Sequence, residues 1–423
     1  MSDTKPNPQA GCGGHEAPAL SVEEARGRIA DAVQPVYGFE RVALRSALGR
    51  MLAEDVRSPI NVPSHRNSAM DGYAIKASDL VDDGDVKLTV IGTSWAGTPF
   101  AGALETGQCV RIMTGAVVPD GADTVIMQEH VERRGDAIRV SAGHRCGDNV
   151  RAAGEDLTKD QVMLASGKQL LPPELGLLAS VGIAEVTVRR RVRVAFFSTG
   201  DELRSIGQVL APGEIYDSNR YTLYGALVRL GVEILDMGVV RDDREATKEA
   251  FIQAASSADA VITSGGVSVG EADYVKETLE TLGEVGFWQI AIKPGRPLAF
   301  GRIRDAIFFG LPGNPVSVMV TFYQFVEPAL RHMMGQSDAR PLPTFKVACA
   351  SRLKKGPGRT EFQRAILERT ADGELLVRST GQQGSGLLHS MSLANCFVIL
   401  PQEASTIEPG TLVEVQPFYG VIN

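Results

Sequence analysis

Histidine is scarce in this chain, with six residues in 423, and no HExxH spacing occurs among them. No nucleophile–His–Asp order is evident either, so histidine-driven catalysis is not expected. Cysteine is equally uninformative. The five residues, at 12, 109, 146, 349 and 396, are odd in number and follow neither a zinc-site nor a disulfide spacing, which leaves reduced thiols. Cys12 and His15 provide two ligands where a closed structural zinc site wants four. No run of 18 apolar residues is present, so no membrane span is expected. The opening residues carry no apolar stretch behind a basic start and do not read as a signal peptide. A disordered leader over 1–18 and a cytoplasmic location are the expectations. A net positive charge is also lacking. A formal charge of −8 argues against a broad nucleic-acid surface, so anion binding would need local cations, helix ends or a metal ion. Long tandem repeats and coiled-coil heptads are absent.

Glycine is plentiful, at 45 residues, and 22 prolines add to a chain rich in turns. Its 423 residues exceed one ordinary hydrophobic core, and two to four domains are expected. Ser21 and Glu24 have the spacing of a capping box ahead of a helix. VALRSALGRMLAEDV, 42–56, suggests a strand or turn and then a short helix. Short apolar segments split by Gly, Asp and Pro (KLTVIG, QCVRIMTG, DTVIMQE, DAIRVSA) mark a β-rich domain over 61–158. Pro172 and Pro173 open a helix that ends near Gly182. From 191 to 335, strand-like and helical segments alternate, which means an α/β domain with a largely parallel sheet. FKVACAS, EFQRAILER, LLVRST and CFVIL then indicate a compact β-barrel over 336–423. Residues 19–60 and 159–190 flank the inserted β-rich part and form a linking domain.

In an open α/β sheet, ligands gather at the carboxyl ends of the strands, which directs attention to 198–204, 238–244, 264–270 and 293–297. SGGVSVGEADY, 264–274, places Ser264, Gly265, Gly266, Ser268 and Gly270 between a strand and a helix. Residues without a β-carbon let the backbone approach a ligand, and the helix start can bind phosphate. The segment lacks both GK[ST] and the GxGxxG order. Its bland alternative is a tight strand–helix turn, with Asp273 favouring the helix start or holding a metal. FSTGDEL offers Ser198, Thr199, Gly200, Asp201 and Glu202 as oxyanion and Mg²⁺ ligands, or as a solvated loop. GVVRDDRE supplies Asp242 and Asp243, either of which can line a site or cap a helix. IKPGRP presents Lys293 and Arg296 around Pro294 and Gly295, suited to an anion. Asn314 before Pro315 explains a helix start without catalysis. Elsewhere Asp71, Thr114 and Asp156 stand in polar loops, and Arg364 and Ser385 could close over an anion from the C-terminal part. Acids, hydroxyls, glycines and a few cations suit phosphoryl or oxyanion chemistry assisted by Mg²⁺.

Taken in order, NSAMDGYA, RIMTGAVVPDGAD, RAAGED, STGDEL, SGGVSVGEADY, IKPGRP and LPGNPVS resemble the molybdopterin molybdenumtransferase family, also represented by the C-terminal domain of gephyrin. The resemblance covers roughly residues 20–420. It implies a central three-layer α/β molybdopterin-binding domain, a β-rich N-terminal insertion and a C-terminal β-barrel. It also implies a Mg²⁺-dependent reaction in which molybdate is placed on adenylylated molybdopterin and AMP leaves. A homodimer and transient contact with the preceding adenylyltransferase are further implications, with neither nucleic acid nor membrane as partner. Carried over residue by residue, the functional set is Asp71, Thr114, Asp156, Glu202, Asp242, Asp273, Lys293, Arg364 and Ser385. Glu202, Asp242 and Asp273 would order Mg²⁺ and the pyrophosphate. Lys293 and Ser385 would touch the oxyanion, while Asp71 and Thr114 would come from the opposing subunit. Two positions depart from the family's FWKLAIKPGKP: Gln289 replaces one lysine and Arg296 another, and the second change keeps charge but alters geometry. The competing readings are the adenylyltransferase one step earlier, a gephyrin-like peptide-binding scaffold, and insertion of tungstate.

Overall fold

A computed structural model describes residues 19–265, 274–336 and 342–418. The leader, Gly266, Ser268, Gly270 and Asp273 lie outside the described residues. The chain divides into two compact units, with the divisions at Glu40/Arg41 and Val188/Arg189. Helix α1, Val22–Ala32, opens with the expected capping box: the Glu24 amide donates to Ser21 Oγ at 3.1 Å, and the Ser21 amide to Glu24 Oε2 at 2.7 Å.

In the unit Arg41–Val188, six strands form one sheet: β1 Gly72–Ile75, β2 Asp85–Ser94, β3 Gln108–Ile112, β4 Thr124–Met127, β5 Val131–Arg134 and β6 Ala137–Ser141. Their order is β4-β1-β3-β2-β6-β5. Tyr73, Ile75, Leu88, Cys109 and Ile126 fill one face, and Ala74, Val110, Ile112 and Val125 the other. This period-two alternation is what the short apolar segments had suggested. Helix α2, Pro172–Ser180, begins at the expected prolines. The helix expected before residue 56 does not form. Leu44–Ser46 makes one 3₁₀ turn, and Met51 and Leu52 instead enter isolated β-bridges with Gln169 and Val188.

The other unit holds two six-stranded sheets and a two-stranded one, Leu203–Arg204 with Ile215–Tyr216. Strands β7 Arg193–Thr199, β8 Glu233–Val240 and β9 Ala260–Ser264 alternate with helices α3 Ser218–Leu230, α4 Arg244–Ser257 and α5 Tyr274–Leu282. Strands β10 Gly283–Gln289, β12 Pro297–Ile303 and β13 Ala306–Leu311 complete the sheet in the order β8-β7-β9-β13-β12-β10. The first four are parallel; β12 runs antiparallel to both β13 and β10, so β10 points the same way as the first four and the sheet is mixed through one reversed strand. IKPGRPLAFG concealed β12 because its first half is a turn and its second half a strand. The sequence runs from β7 to β8 in one direction and from β8 to β9 in the other. Right-handed crossovers therefore put α3 and α4 on opposite faces. Phe197, Phe251 and Phe308 anchor the α4–α5 face, with ring centroids 5.1 and 5.5 Å apart in edge-on pairs.

Between these strands, β11 Ile292–Lys293 leaves the central sheet and pairs with the C-terminal one. There β14 Phe345–Cys349, β15 Thr360–Arg369, β16 Leu375–Ser379, β17 Cys396–Leu400 and β18 Leu412–Pro417 run in the order β15-β16-β14-β18-β17. Pairing of β15 with β17 closes the barrel. Val347, Cys349, Val377, Cys396 and Val415 fill its interior. Burial pushes the Cys396 thiol up to about 12, consistent with an inert packing residue. The chain from 315 to 333 is one helical run, α6 Pro315–Thr321 and α7 Glu327–Met333, joined by a π-turn over Phe322–Val326.

Candidate functional site

Register places the candidate loops on one edge of the central sheet. Ser198 pairs with Ser264, Ser264 with Leu311, and Thr199 with Val240. The antiparallel β12 starts on that same edge, since Ala299 faces Gly310. Strand order reverses at β7, which lies between β8 and β9; this is the switch point where α/β sheets open a crevice. The strand ends approach closely there. Gly265 has φ of +94°, and a β-carbon on it would lie 2.8 Å from the Thr199 carbonyl oxygen, so only glycine fits.

Buried polar atoms collect at this edge. Ser198 Oγ, Thr199 Oγ1, Asp217 Oδ2 and Asn219 Oδ1 have no hydrogen-bond partner among the described residues. Each such group costs about 1–3 kcal/mol if left unsatisfied. Four together are what a site completed by ligand or solvent looks like. Asn219 was not singled out from sequence. Its Nδ2 donates to Ser264 Oγ at 2.8 Å and to the Gly313 carbonyl at 2.7 Å, tying the start of α3 to β9 and to the loop after β13. The signal was available in DSNR: Asp217 caps α3 by accepting the Arg220 amide, which sets Asn219 in the first turn. Asn314 does stand at the N-cap of α6 ahead of Pro315, but its side chain makes no capping bond.

Acids occupy the β7 and β8 loops. The Asp242 amide donates to Asp201 Oδ1 at 3.2 Å. Asp243 is committed elsewhere, accepting the Glu245 and Ala246 amides as the cap of α4. That separates two residues that spacing could not. The Glu202 carboxylate folds over Gly200, where a β-carbon would lie 2.6 Å from Oε2. Partial burial, then the negative charges of Asp201 and Glu202, hold the Asp242 carboxyl above its usual range. Arg204 in the same loop is paired with Glu214 at 2.6 Å. Among the described residues, no three His, Cys, Asp or Glu groups form a ready-made metal cage.

Cations approach from β11 and the barrel. Lys293 Nζ donates to Glu361 Oε1 at 3.1 Å, and the Lys293 side chain stays 44% exposed. Pro294 is half-buried, Gly295 buried and Arg296 exposed. Arg364 corrects an expectation. Its side chain does not close over an anion, because it is fully buried and already engaged. Nε donates to Ser390 Oγ, and the terminal nitrogens donate to the carbonyls of Gln382, Gln383 and Gly384 at 2.9–3.2 Å. Burial lowers its guanidinium to about 10. Arg364 thus shapes the loop that presents half-buried Ser385, whose carbonyl accepts the Val316 amide of α6 at 3.1 Å.

The remaining expected residues belong to the unit Arg41–Val188. Thr114 donates its amide and its hydroxyl to Asp71 Oδ1, both at 2.7 Å. These two bonds hold the exposed Asp71 carboxyl below its usual range. Asp156 is exposed beside the Val62–Leu157 bridge, and its amide donates to the Val62 carbonyl at 2.9 Å.

Three family models match the chain in order: the MoeA N-terminal region (domain I and II) over 20–182, a probable molybdopterin binding domain over 195–332, and the MoeA C-terminal region (domain IV) over 346–418. A molybdopterin molybdenumtransferase of Haemophilus influenzae is 46% identical over 94% of this chain and 98% of its own. Gephyrin of Dictyostelium discoideum is 33% identical over 89% of this chain and 59% of its own. The solved molybdopterin biosynthesis moeA protein of Pyrococcus horikoshii OT3 superposes with a TM-score of 0.83 at 30% identity, covering 95% of this chain and all of that one. On this evidence the chain belongs to the molybdopterin molybdenumtransferase family, to which the C-terminal domain of gephyrin is related.

Proposed function

We propose that this protein places molybdate on the dithiolene sulfurs of adenylylated molybdopterin, with cleavage of the adenylate link and release of AMP. The observation that carries this reading is the union, at one sheet edge, of unpartnered polar atoms, crowded acids and an exposed lysine. Ser198, Thr199, Ser264 and Asn219 line the part suited to the pyrophosphate, with Gly265 allowing close backbone approach. Lys293 and Ser385 are the oxyanion contacts. Match to relatives over nearly the whole chain favours this activity over an adenylyltransferase or a peptide-binding scaffold.

Mg²⁺ fits the acidic loops. It is commonly held by one or two carboxylates plus substrate phosphate oxygens rather than by an all-protein cage. Glu202 and Asp242 are suitably crowded, with Asp273 as the third expected ligand. When bound, the ion would neutralise charge on the pyrophosphate and on departing AMP.

A homodimer is part of the proposal. Tyr221, Tyr224 and Val228 stand exposed along one side of α3, beside a groove of about 500 Å³ lined by Met319, Phe322 and Met391. Such a surface suits self-association. Asp71 and Thr114 would then act on the partner's substrate. Purified protein given Mg²⁺, molybdate and adenylylated molybdopterin should release AMP and yield active cofactor. ATP consumption on unmodified molybdopterin, without molybdate-dependent AMP release, would contradict the proposal.

A further inference from the structure

Lys293 does not stand alone. β11 and β15 run parallel with Lys293 paired to Glu361. The two members of the resulting ion pair differ in burial: the lysine side chain is 44% exposed, the glutamate 5%. Both Glu361 oxygens are engaged. Oε1 accepts from Lys293, and Oε2 accepts from Gln363 Nε2 at 2.9 Å. Gln363 Nε2 is itself held by the Lys354 carbonyl, also at 2.9 Å. The carboxylate is therefore fixed in direction before any ligand arrives. A free lysine side chain carries about 2 kcal/mol of rotamer entropy, so restraining it beforehand lowers the cost of ligand binding.

One buried carboxylate would by itself cancel the charge it holds in place. A second lysine, Lys355, also experiences the charge of Glu361. It is 7% exposed, and its Nζ donates to the Gly356 carbonyl at 2.5 Å. Burial is the main cause holding its ammonium below the usual range. The charges of Lys293 and Arg359 push the same way, and those of Glu361 and Glu403 oppose. The charge of Glu361 therefore acts on Lys355 as well as on Lys293.

We propose that Glu361 is a positioning residue that aims the Lys293 ammonium at the oxyanion end of the site. This rests on Lys293 being an oxyanion contact.

The test uses the full-length protein and initial rates of molybdate-dependent AMP release. KM for molybdate, KM for adenylylated molybdopterin and kcat are measured for wild type, Glu361→Gln, Glu361→Asp, Lys293→Met and the Glu361→Gln/Lys293→Met double variant. Loss of a charge-assisted contact predicts about a tenfold rise in the molybdate KM for Glu361→Gln. The KM for adenylylated molybdopterin should stay near wild type, and Glu361→Asp should recover part of the loss. The double variant should be no worse than Lys293→Met, because the glutamate acts through the lysine. If Lys293→Met raises the molybdate KM while Glu361→Gln leaves it unchanged, or if the two effects multiply, the positioning role is wrong and the oxyanion role of Lys293 stands. An unchanged molybdate KM in Lys293→Met overturns both. Should Glu361→Gln not fold, Glu361→Asp decides by the same split: a raised molybdate KM alone supports the role, and equal changes in both KM values reject it.

Discussion

The acidic and cationic parts of this site are built in opposite ways. Asp201, Glu202 and Asp242 crowd together on exposed loops, and partial burial followed by the charges of Asp201 and Glu202 raises the Asp242 carboxyl. The cationic part is compensated from within: Lys293 leans on buried Glu361, and Arg364 is spent on three loop carbonyls and a serine hydroxyl. Charge left uncompensated at a sheet edge marks where an ion from solution belongs. Charge already engaged by the protein marks parts that are held in place before a ligand arrives.

The sharpest way to break this contrast is to remove an acid. Glu202→Gln is expected to lower kcat for AMP release by roughly 10²–10³ while leaving the thermal midpoint near wild type, since no folding contact is lost. A matching loss of stability would make Glu202 structural. Arg364→Ala should behave in the reverse sense. Orphaning the carbonyls of Gln382, Gln383 and Gly384 in a buried setting should cost about 3 kcal/mol in chemical denaturation, with activity falling because the Ser385 loop slackens. Unchanged stability would return Arg364 to a ligand-contacting role.

Asn219→Ala tests whether the polar wall serves the adenylylated substrate. It should raise that substrate's KM about tenfold and leave the molybdate KM alone. Equal changes in both would dissolve the division of the site into two parts. The smallest effect is expected from Asp242→Asn without metal. Because the folded-state pKa of Asp242 is raised, its contribution favours the folded state at acid pH and is lost as pH rises through the folded pKa. The substitution removes that loss, so the thermal midpoint at pH 7 should rise by about 1 °C, while activity falls. No rise, or a fall, would mean that the acids are not in conflict.

How legible the molecule was in sequence follows the same contrast. Strands buried on both faces, such as Arg193–Thr199 and Ala260–Ser264, announce themselves as apolar runs, and their carboxyl ends located the acids and hydroxyls. The Ser21 capping box and the proline-led Pro172–Ser180 helix are local signals that tertiary packing did not override. Pairings between distant segments were not legible. Nothing near Pro297 says that the chain turns back antiparallel, and nothing near Ile292 says that two residues leave one sheet for another. Arg364 looked like an anion ligand because arginine in a polar stretch usually reaches solvent. Its burial depends on carbonyls that the barrel fold brings around it. Lys293 was visible as a cation, but its partner Glu361 lies 68 positions away.

The central claim is that the acids left in conflict at the sheet edge await a divalent cation bridging them to the substrate's pyrophosphate. The most direct measurement is the Mg²⁺ dependence of AMP release at saturating molybdate and adenylylated molybdopterin, for wild type and Glu202→Gln. Wild type should saturate with Mg²⁺, and the variant should need at least about tenfold more to reach half its own maximum, as expected when one carboxylate ligand is lost. An identical Mg²⁺ dependence in the two proteins would contradict the account.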